Sequence, residues 1–495
     1  MKIPKKLRNL LVPGQRLSQR VVFAGAWMLA MRVARQGFSI VRLIILARLL
    51  SPEAFGLVSV ALVVLALLTT ITEFGFGEAL IQHKGDIQHY LDTFWIMSAI
   101  RGLVLAGVIF GIAPFAASYF NAPDAKPIIQ AMAATLVING FVSSGMVYFY
   151  KELEVQKRFV WEISGLFSDI VISISTAFIL RSAWALVYGS IASSIVMMVV
   201  SFIMHPYRPK LRFDILKAKE LFKFGWWVLL YGVMNYIFTS ADTIIIGRLL
   251  GVVSLGLYTM AHKIGDLIGR EMGLASSGII FPTYSKLQDI QDQLRRAFLT
   301  CTEAVAFVTF PAAVGIYVLA PDFTDVLLGK QWTQAVPAMQ ILGIAAAIYS
   351  LIITGGSLFY AVGKPRTRFL IMAVASFIMV GLLFPLSKEF GLVGAAMAVL
   401  AGNVGGLLCL TLASAGILKS SVKELMRPLV FPIIVSIIMG VLLMLAKHAF
   451  NQVGLGEFII LLCIAAAVYA ACSLMLWRLF KSGPVQILNI FRGRK

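Results

Sequence analysis

Ile44-Ile45-Leu46-Ala47-Arg48-Leu49-Leu50 recurs two hundred positions later as Ile244-Ile245-Ile246-Gly247-Arg248-Leu249-Leu250. The match continues with Gly56-Leu57 against Gly256-Leu257 and Ala61 against Ala261, without a gap. A repeat of this length marks duplicated architecture. Each copy closes one apolar segment, turns within about four residues, and opens the next. Both copies enter from the same side, so they are parallel repeats related by an axis along the membrane normal. The repeat predicts two six-helix lobes around a central cleft, a common frame for alternating access. A duplication without any transport role is the alternative.

The surroundings of the repeat are equally apolar. Of 495 residues, 59% are hydrophobic and only 13% charged, against about 25% charged in soluble domains. No soluble fold buries that much apolar surface, so the bilayer is the solvent. Runs such as 58–71 and 429–446 lack the alternation of a barrel strand, which leaves helices. With roughly 20 apolar residues per crossing, spans are expected at 21–49, 54–81, 91–119, 126–150, 159–180, 183–204, 223–250, 255–283, 299–320, 334–361, 369–387, 391–417, 429–447 and 457–477. The fold class is thus an all-α integral membrane protein of about fourteen transmembrane helices. Its expected domains are a basic arm (1–20), an N-lobe (21–205), a linker (206–222), a C-lobe (223–418), two appended helices (428–478) and a basic tail (479–495).

Charge gives the orientation. The net charge is +20, and about 30 of the 43 Lys and Arg fall on one side of these spans against about five on the other. The rich side faces the cytoplasm, so both termini are expected there and the number of spans is even. The basic excess suits anionic lipid headgroups rather than nucleic acid. The linker could rest an apolar stripe of Phe213, Leu216, Leu221 and Phe222 on the membrane surface. Cys301, Cys409, Cys463 and Cys472 sit in apolar stretches as small hydrophobes, without redox or metal spacing.

Two lobes, two extra helices and the hairpin Arg48-Leu49-Leu50-Ser51-Pro52-Glu53-Ala54-Phe55-Gly56-Leu57 together resemble the polysaccharide transporter branch of the multidrug/oligosaccharidyl-lipid/polysaccharide exporter superfamily. That branch includes the Wzx-type flippases. Glu73-Phe74-Gly75-Phe76-Gly77, Trp184-Ala185-Leu186-Val187-Tyr188-Gly189 and Ala241-Asp242 carry the same likeness. The resemblance implies movement of an undecaprenyl-pyrophosphate-linked oligosaccharide from the inner to the outer leaflet, driven by an ion gradient, in the bacterial inner membrane. It implies no catalytic motif and no cofactor. Expected partners are the lipid-linked substrate and membrane lipids, with the polysaccharide polymerase and chain-length machinery as further candidates.

Site residues therefore come from charges inside the spans. An arginine at mid-membrane costs about 2.5–3.5 kcal/mol on the insertion scale. The first span nevertheless holds Arg32, Arg35 and Arg42 on one stripe, Arg35 and Arg42 standing roughly 60° and 80° from Arg32. Guanidinium forks facing a wet cleft suit a pyrophosphate, and Lys263 and Arg270 of the eighth span extend the cationic set. Snorkelling to the inner headgroups is the competing account. Glu73, Glu78, Asp169, Asp242 and Asp266 are candidates for carrying a coupling ion, or for neutralising nearby cations, as are Glu162 and Glu303. Glycine and proline at Gly75, Gly77, Pro282, Pro311 and Gly355-Gly356 suit helices that bend.

Two rival functions fit the sequence less well. A membrane enzyme of polysaccharide assembly would need catalytic groups in a sizeable loop. The outer loops are short, and His83, His89, His205, His262 and His448 form no metal-spaced pair. A small-drug exporter of the same superfamily would favour an acidic cavity for cationic drugs, whereas the first span is basic.

Overall fold

The computed structural model describes residues 34–72, 76–82, 85–152, 154–450 and 453–480. The expected basic arm, Arg32, Glu73, Gly75 and nearly all of the basic tail lie outside the described residues. Helices run α1 (34–49), α2 (Pro52–Ile71), α3 (Phe76–Gln82), α4 (Gln88–Tyr119), α5 (Ala125–Gly140), α6 (Val147–Lys151), α7 (Val155–Leu180), α8 (Trp184–Met204) and α9 (Ile215–Leu287). They continue as α10 (Gln291–Phe323), α11 (Val336–Ala361), α12 (Pro365–Leu418), α13 (Val422–His448) and α14 (Leu455–Phe480). No strand occurs among the described residues.

Within those residues ten helices are long and apolar enough to cross a membrane, or eleven if the bent pair of Ala125–Gly140 with Ser144–Lys151 is one span. The sequence offers fourteen apolar stretches. The difference from eleven arises because α9 and α12 each contain two of them and the first is described only from residue 34 onward. At 54 residues, α12 would be roughly 80 Å long if straight, over twice the hydrocarbon thickness. It breaks at Gly391, φ 58°, and α9 breaks at Gly251, φ 83°. Both values lie in the left-handed region, where a Cβ is strained and glycine is not. The first copy of the repeat turns by other means. Pro52 stands at the start of α2, and the Ser51 hydroxyl accepts from the Ala54 N–H at 3.3 Å, an N-cap. The two copies bury several equivalent positions, with Leu46 and Ile246 at 1% and 0% exposure and Ala61 and Ala261 both at 0%.

The chain divides into two compact units, Met1–Ser240 and Ala241–Lys495. In the first, α4 and α5 touch at Gly102 and Gly140, where an added Cβ would press on the Leu136 and Ser98 carbonyls. Small residues let helix backbones approach in a bilayer, where hydrophobicity does not drive association. The α5–α6 bend of 69° frees backbone groups that lipid cannot solvate. The Ser201 hydroxyl accepts from the Ser143 N–H at 3.0 Å, and the Ser144 hydroxyl donates to the Leu91 carbonyl at 3.0 Å.

In the second unit, Gly265 and Gly269 of α9 lie against Leu342, Gly343 and Ala346 of α11, another small-residue seam. Helices α13 and α14 pack on α10 through Val318, Met439, Leu443, Phe458 and Leu461. Phe307 stacks on Phe431 and accepts at its carbonyl from the Tyr469 hydroxyl at 2.7 Å. Gly355 and Gly356 sit inside α11, which is helical throughout. Their missing side chains make room for Leu410 and for the Arg368 guanidinium, which donates to the Ile352 carbonyl at 2.9 Å.

Candidate functional site

The arginine stripe of α1 meets carboxylates of α7. Arg42 Nη2 lies 2.8 Å from Asp169 Oδ1, and Arg42 Nε donates to Ser173 Oγ at 3.3 Å. Seven residues earlier on both helices, Arg35 Nη1 stands 3.9 Å from Glu162 Oε2. Glu162 also holds Arg158 Nε at 2.6 Å, and the Arg158 guanidinium lies over the Tyr150 ring at 4.4 Å. Side-chain exposure falls from 54% at Arg35 to 24% at Arg42. Gly189 of α8 closes the Asp169 side, since a Cβ there would collide with Asp169 Oδ1 and Ser173 Cβ. The Trp184–Gly189 element thus has a local role: it seats the acid that Arg42 meets.

The second unit gathers a different set. Asp242 is 4% exposed. Its Oδ1 accepts from the Thr243 N–H at 2.7 Å and hydroxyl at 3.2 Å, and its Oδ2 from the Tyr258 hydroxyl at 2.7 Å. Tyr258 is fully buried, and its ring lies 5.9 Å from that of His262. His262 Nδ1 is 3.2 Å from Asp266 Oδ2. Positions 258, 262 and 266 therefore form one helical stripe. Lys263 is exposed beside it. The side chains of Glu78 in α3 and Arg270 in α9 lie outside the described residues. Glu303 is buried in α10. Among the described residues no group of three His, Cys, Asp or Glu could hold a metal ion.

Three residues with such contacts, Tyr258, His262 and Arg101, are not expected there from the sequence. Tyr258 and His262 follow an i, i+4 spacing toward Asp266 that is legible in hindsight, although a buried tyrosine also looks like core. Arg101 gave no signal. It lies inside α4, where its Nη2 donates to the Thr69 carbonyl at 2.8 Å and its Nε to Thr72 Oγ1 at 3.1 Å, which satisfies the end of α2 within the apolar region.

The linker is tied to the first unit. Thr93 Oγ1 accepts from the Asp214 N–H at 3.2 Å, and Asp92 accepts from the Lys210 N–H at 2.9 Å and from the Tyr207 hydroxyl. His205 stacks on Tyr148 with centroids 5.4 Å apart, and its Nδ1 accepts from the Tyr207 N–H at 3.2 Å. Burial, and then the Lys157 charge, lower the pKa of His205; burial, and then the bond to Asp92, raise that of Tyr207. From Ile215 onward the linker is already helix.

These features define a multi-pass helical membrane protein with charged pairs inside each of two units. Similar folds are known. The Lipid II flippase MurJ in an inward closed conformation superimposes with a TM-score of 0.74 over 92% of this chain and 99% of its own, at 15% identity. An inward-facing MATE multidrug transporter gives 0.63 over 78% and 95%, also at 15%. At such identity the likeness concerns the fold.

Residues 45–337 match the family model described as polysaccharide biosynthesis protein, and the chain belongs to that family. Relatives include the lipopolysaccharide biosynthesis protein WzxC of Escherichia coli (strain K12), 25% identical over 78% of both chains. The succinoglycan biosynthesis transport protein ExoT of Rhizobium meliloti (strain 1021) is 26% identical over 71% of this chain and 72% of its own.

Proposed function

We propose that this protein is a flippase that carries an oligosaccharide on an undecaprenyl pyrophosphate from the cytoplasmic to the periplasmic leaflet of the inner membrane. Movement is by alternating access, coupled to an ion gradient, and serves surface polysaccharide biosynthesis. The observation that carries this reading is the pair Arg35 and Arg42, two cations on one face of α1 inside an apolar span. A fixed guanidinium fork in that setting suits a diphosphate, which accepts parallel charge-assisted hydrogen bonds. Positive charge here also argues against cationic drugs as cargo. The family and the printed names of its relatives support the polysaccharide class.

The coupling ion is assigned to the carboxylate set Glu73, Glu78, Asp169, Asp242 and Asp266, with Asp242 first because it is the most deeply buried of those described. The polymerase and chain-length machinery are the candidate protein partners. Fourteen spans with both termini cytoplasmic complete the proposal. Reporter fusions after residue 215 and at the C-terminus should report cytoplasm, and a fusion near 325 the opposite side.

The site is tested by Arg35→Gln and Arg42→Gln, singly and together, with surface polysaccharide and membrane protein level both measured. Export should be lost while the protein still accumulates, and lysine should rescue in part because it keeps the charge without the fork. Normal export from the double variant would remove the site.

A further inference from the structure

The two ion pairs between α1 and α7 share one geometry. Arg35 and Arg42 are seven residues apart, and so are their partners Glu162 and Asp169. Seven residues are about two turns and about 10 Å of helix. Increasing number on α1 meets increasing number on α7, so the helices run in the same direction along the contact and present two rungs in register.

The rungs are unequal. At the outer rung Arg35 is half exposed, and its carboxylate lies 3.9 Å away while already bound to Arg158 at 2.6 Å. At the inner rung Arg42 is sheltered, 2.8 Å from Asp169 and also bonded to Ser173. Asp169 is seated against Gly189, so that pair has a built receptacle.

We propose that Glu162 and Asp169 are resident counter-anions, which the substrate's diphosphate displaces from Arg35 first and from Arg42 second. The inference rests on the diphosphate reading of the arginines given above. Carboxylate and phosphate oxygens make the same bidentate contacts with a guanidinium, so the two compete for one set of donors. A charge inside the membrane is costly without a partner. Two acids that return as the diphosphate leaves keep the arginines paired throughout the cycle. The loosely held Arg35 offers the first contact, and the tight Arg42–Asp169 pair supplies the return force that expels the product. The carboxylates thereby weaken substrate binding and hasten release.

The experiment uses the full-length protein in lipid nanodiscs with farnesyl diphosphate as probe. Its Kd and dissociation rate are measured for the parent and for Asp169→Asn, Glu162→Gln, Arg42→Gln and Arg35→Gln, and export is followed in cells. Asn and Gln cannot compete as anions. Asp169→Asn and Glu162→Gln are therefore expected to bind the probe about tenfold more tightly, the scale of one charge-assisted hydrogen bond. They should also release it more slowly and export less polysaccharide. Glu162→Gln is the safer variant, because it leaves the Asp169 seat against Gly189 untouched. If both amide variants bind the probe as weakly as the parent or more weakly, while the arginine variants lose binding, the acids only position the arginines and the displacement proposal falls. If the arginine variants bind the probe like the parent, the diphosphate reading falls, and the displacement proposal with it.

Discussion

Replacing Tyr258 by Phe removes one oxygen from a fully buried ring and one donor from a carboxyl that is 4% exposed. The ring's volume is nearly unchanged, so no cavity term enters. What is lost is the 2.7 Å bond to Asp242 Oδ2, leaving that oxygen buried while Oδ1 keeps both Thr243 donors. Stranding a buried polar partner costs about 1–3 kcal/mol. Tyr258→Ala should cost more, about 3–5 kcal/mol, since it adds the cavity left by an aromatic ring. The assay is reversible unfolding in mixed detergent micelles, run as a double-mutant cycle with Asp242→Asn. Residues in one hydrogen-bond network couple by about 0.5–3 kcal/mol, and the expected coupling is above about 1 kcal/mol because the two groups contact directly. Ion dependence of transport should weaken in Tyr258→Phe as well, since Tyr258 holds the carboxyl proposed to carry the ion. A Tyr258→Phe protein within about 0.5 kcal/mol of the parent, with additive effects in the cycle, would refute the reasoning.

Gly189→Val places a branched side chain where even a Cβ collides with Asp169 and Ser173; export should fall and stability drop by about 1–3 kcal/mol, measured by polysaccharide level and by unfolding. Arg101→Leu strips two donors from the end of α2, so amide exchange over residues 66–72 should accelerate while exchange in α7 and α8 stays unchanged. His205 has a pKa held below its ordinary value of 6.5, so its neutral form stabilises the linker's seat above that pH. The contribution should decline as pH falls through the folded value. Amide exchange at 206–214, corrected for intrinsic rate, should rise on acidification in the parent and respond less in His205→Gln.

The hairpins show where sequence suffices. Pro52 after Ser51, and the glycines at 251 and 391, are local signals with local causes, and each turn falls within a few residues of its expected place. The α5–α6 bend shows where it does not. Gly140-Phe141-Val142-Ser143 reads as the apolar continuation of a span, and the bend is held by partners more than forty residues away, Ser201 accepting the freed Ser143 N–H and the Leu91 carbonyl accepting from the Ser144 hydroxyl. The site divides in the same way. The arginine stripe on α1 and the acids on α7 are visible one helix at a time, and their common spacing of seven hints at a match. Nothing in one sequence says which helix faces which. Arg101 lay beyond reach because its partners are a backbone carbonyl and a threonine, neither of which announces an arginine.

Arg42 and Asp242 occupy equivalent positions of the repeat yet carry opposite charges, and their neighbours explain how both are tolerated. In the first copy, position 58 is Val, which offers no donor, and the charge at 42 is met from another helix by Asp169. In the second copy, position 258 is Tyr, and the charge at 242 is met within its own hairpin by that hydroxyl and by Thr243. An acid at 42 would face Asp169, and an arginine at 242 would face one backbone N–H and two neutral hydroxyls, with none of these three carrying a negative charge to balance its own. Each charge is thus matched to the setting of its own copy, and exchanging the two residues alone would leave both mismatched. Under the proposed function the anionic substrate meets Arg42 in the first unit, and Asp242, the leading candidate for the coupling cation, stands at the equivalent position of the second.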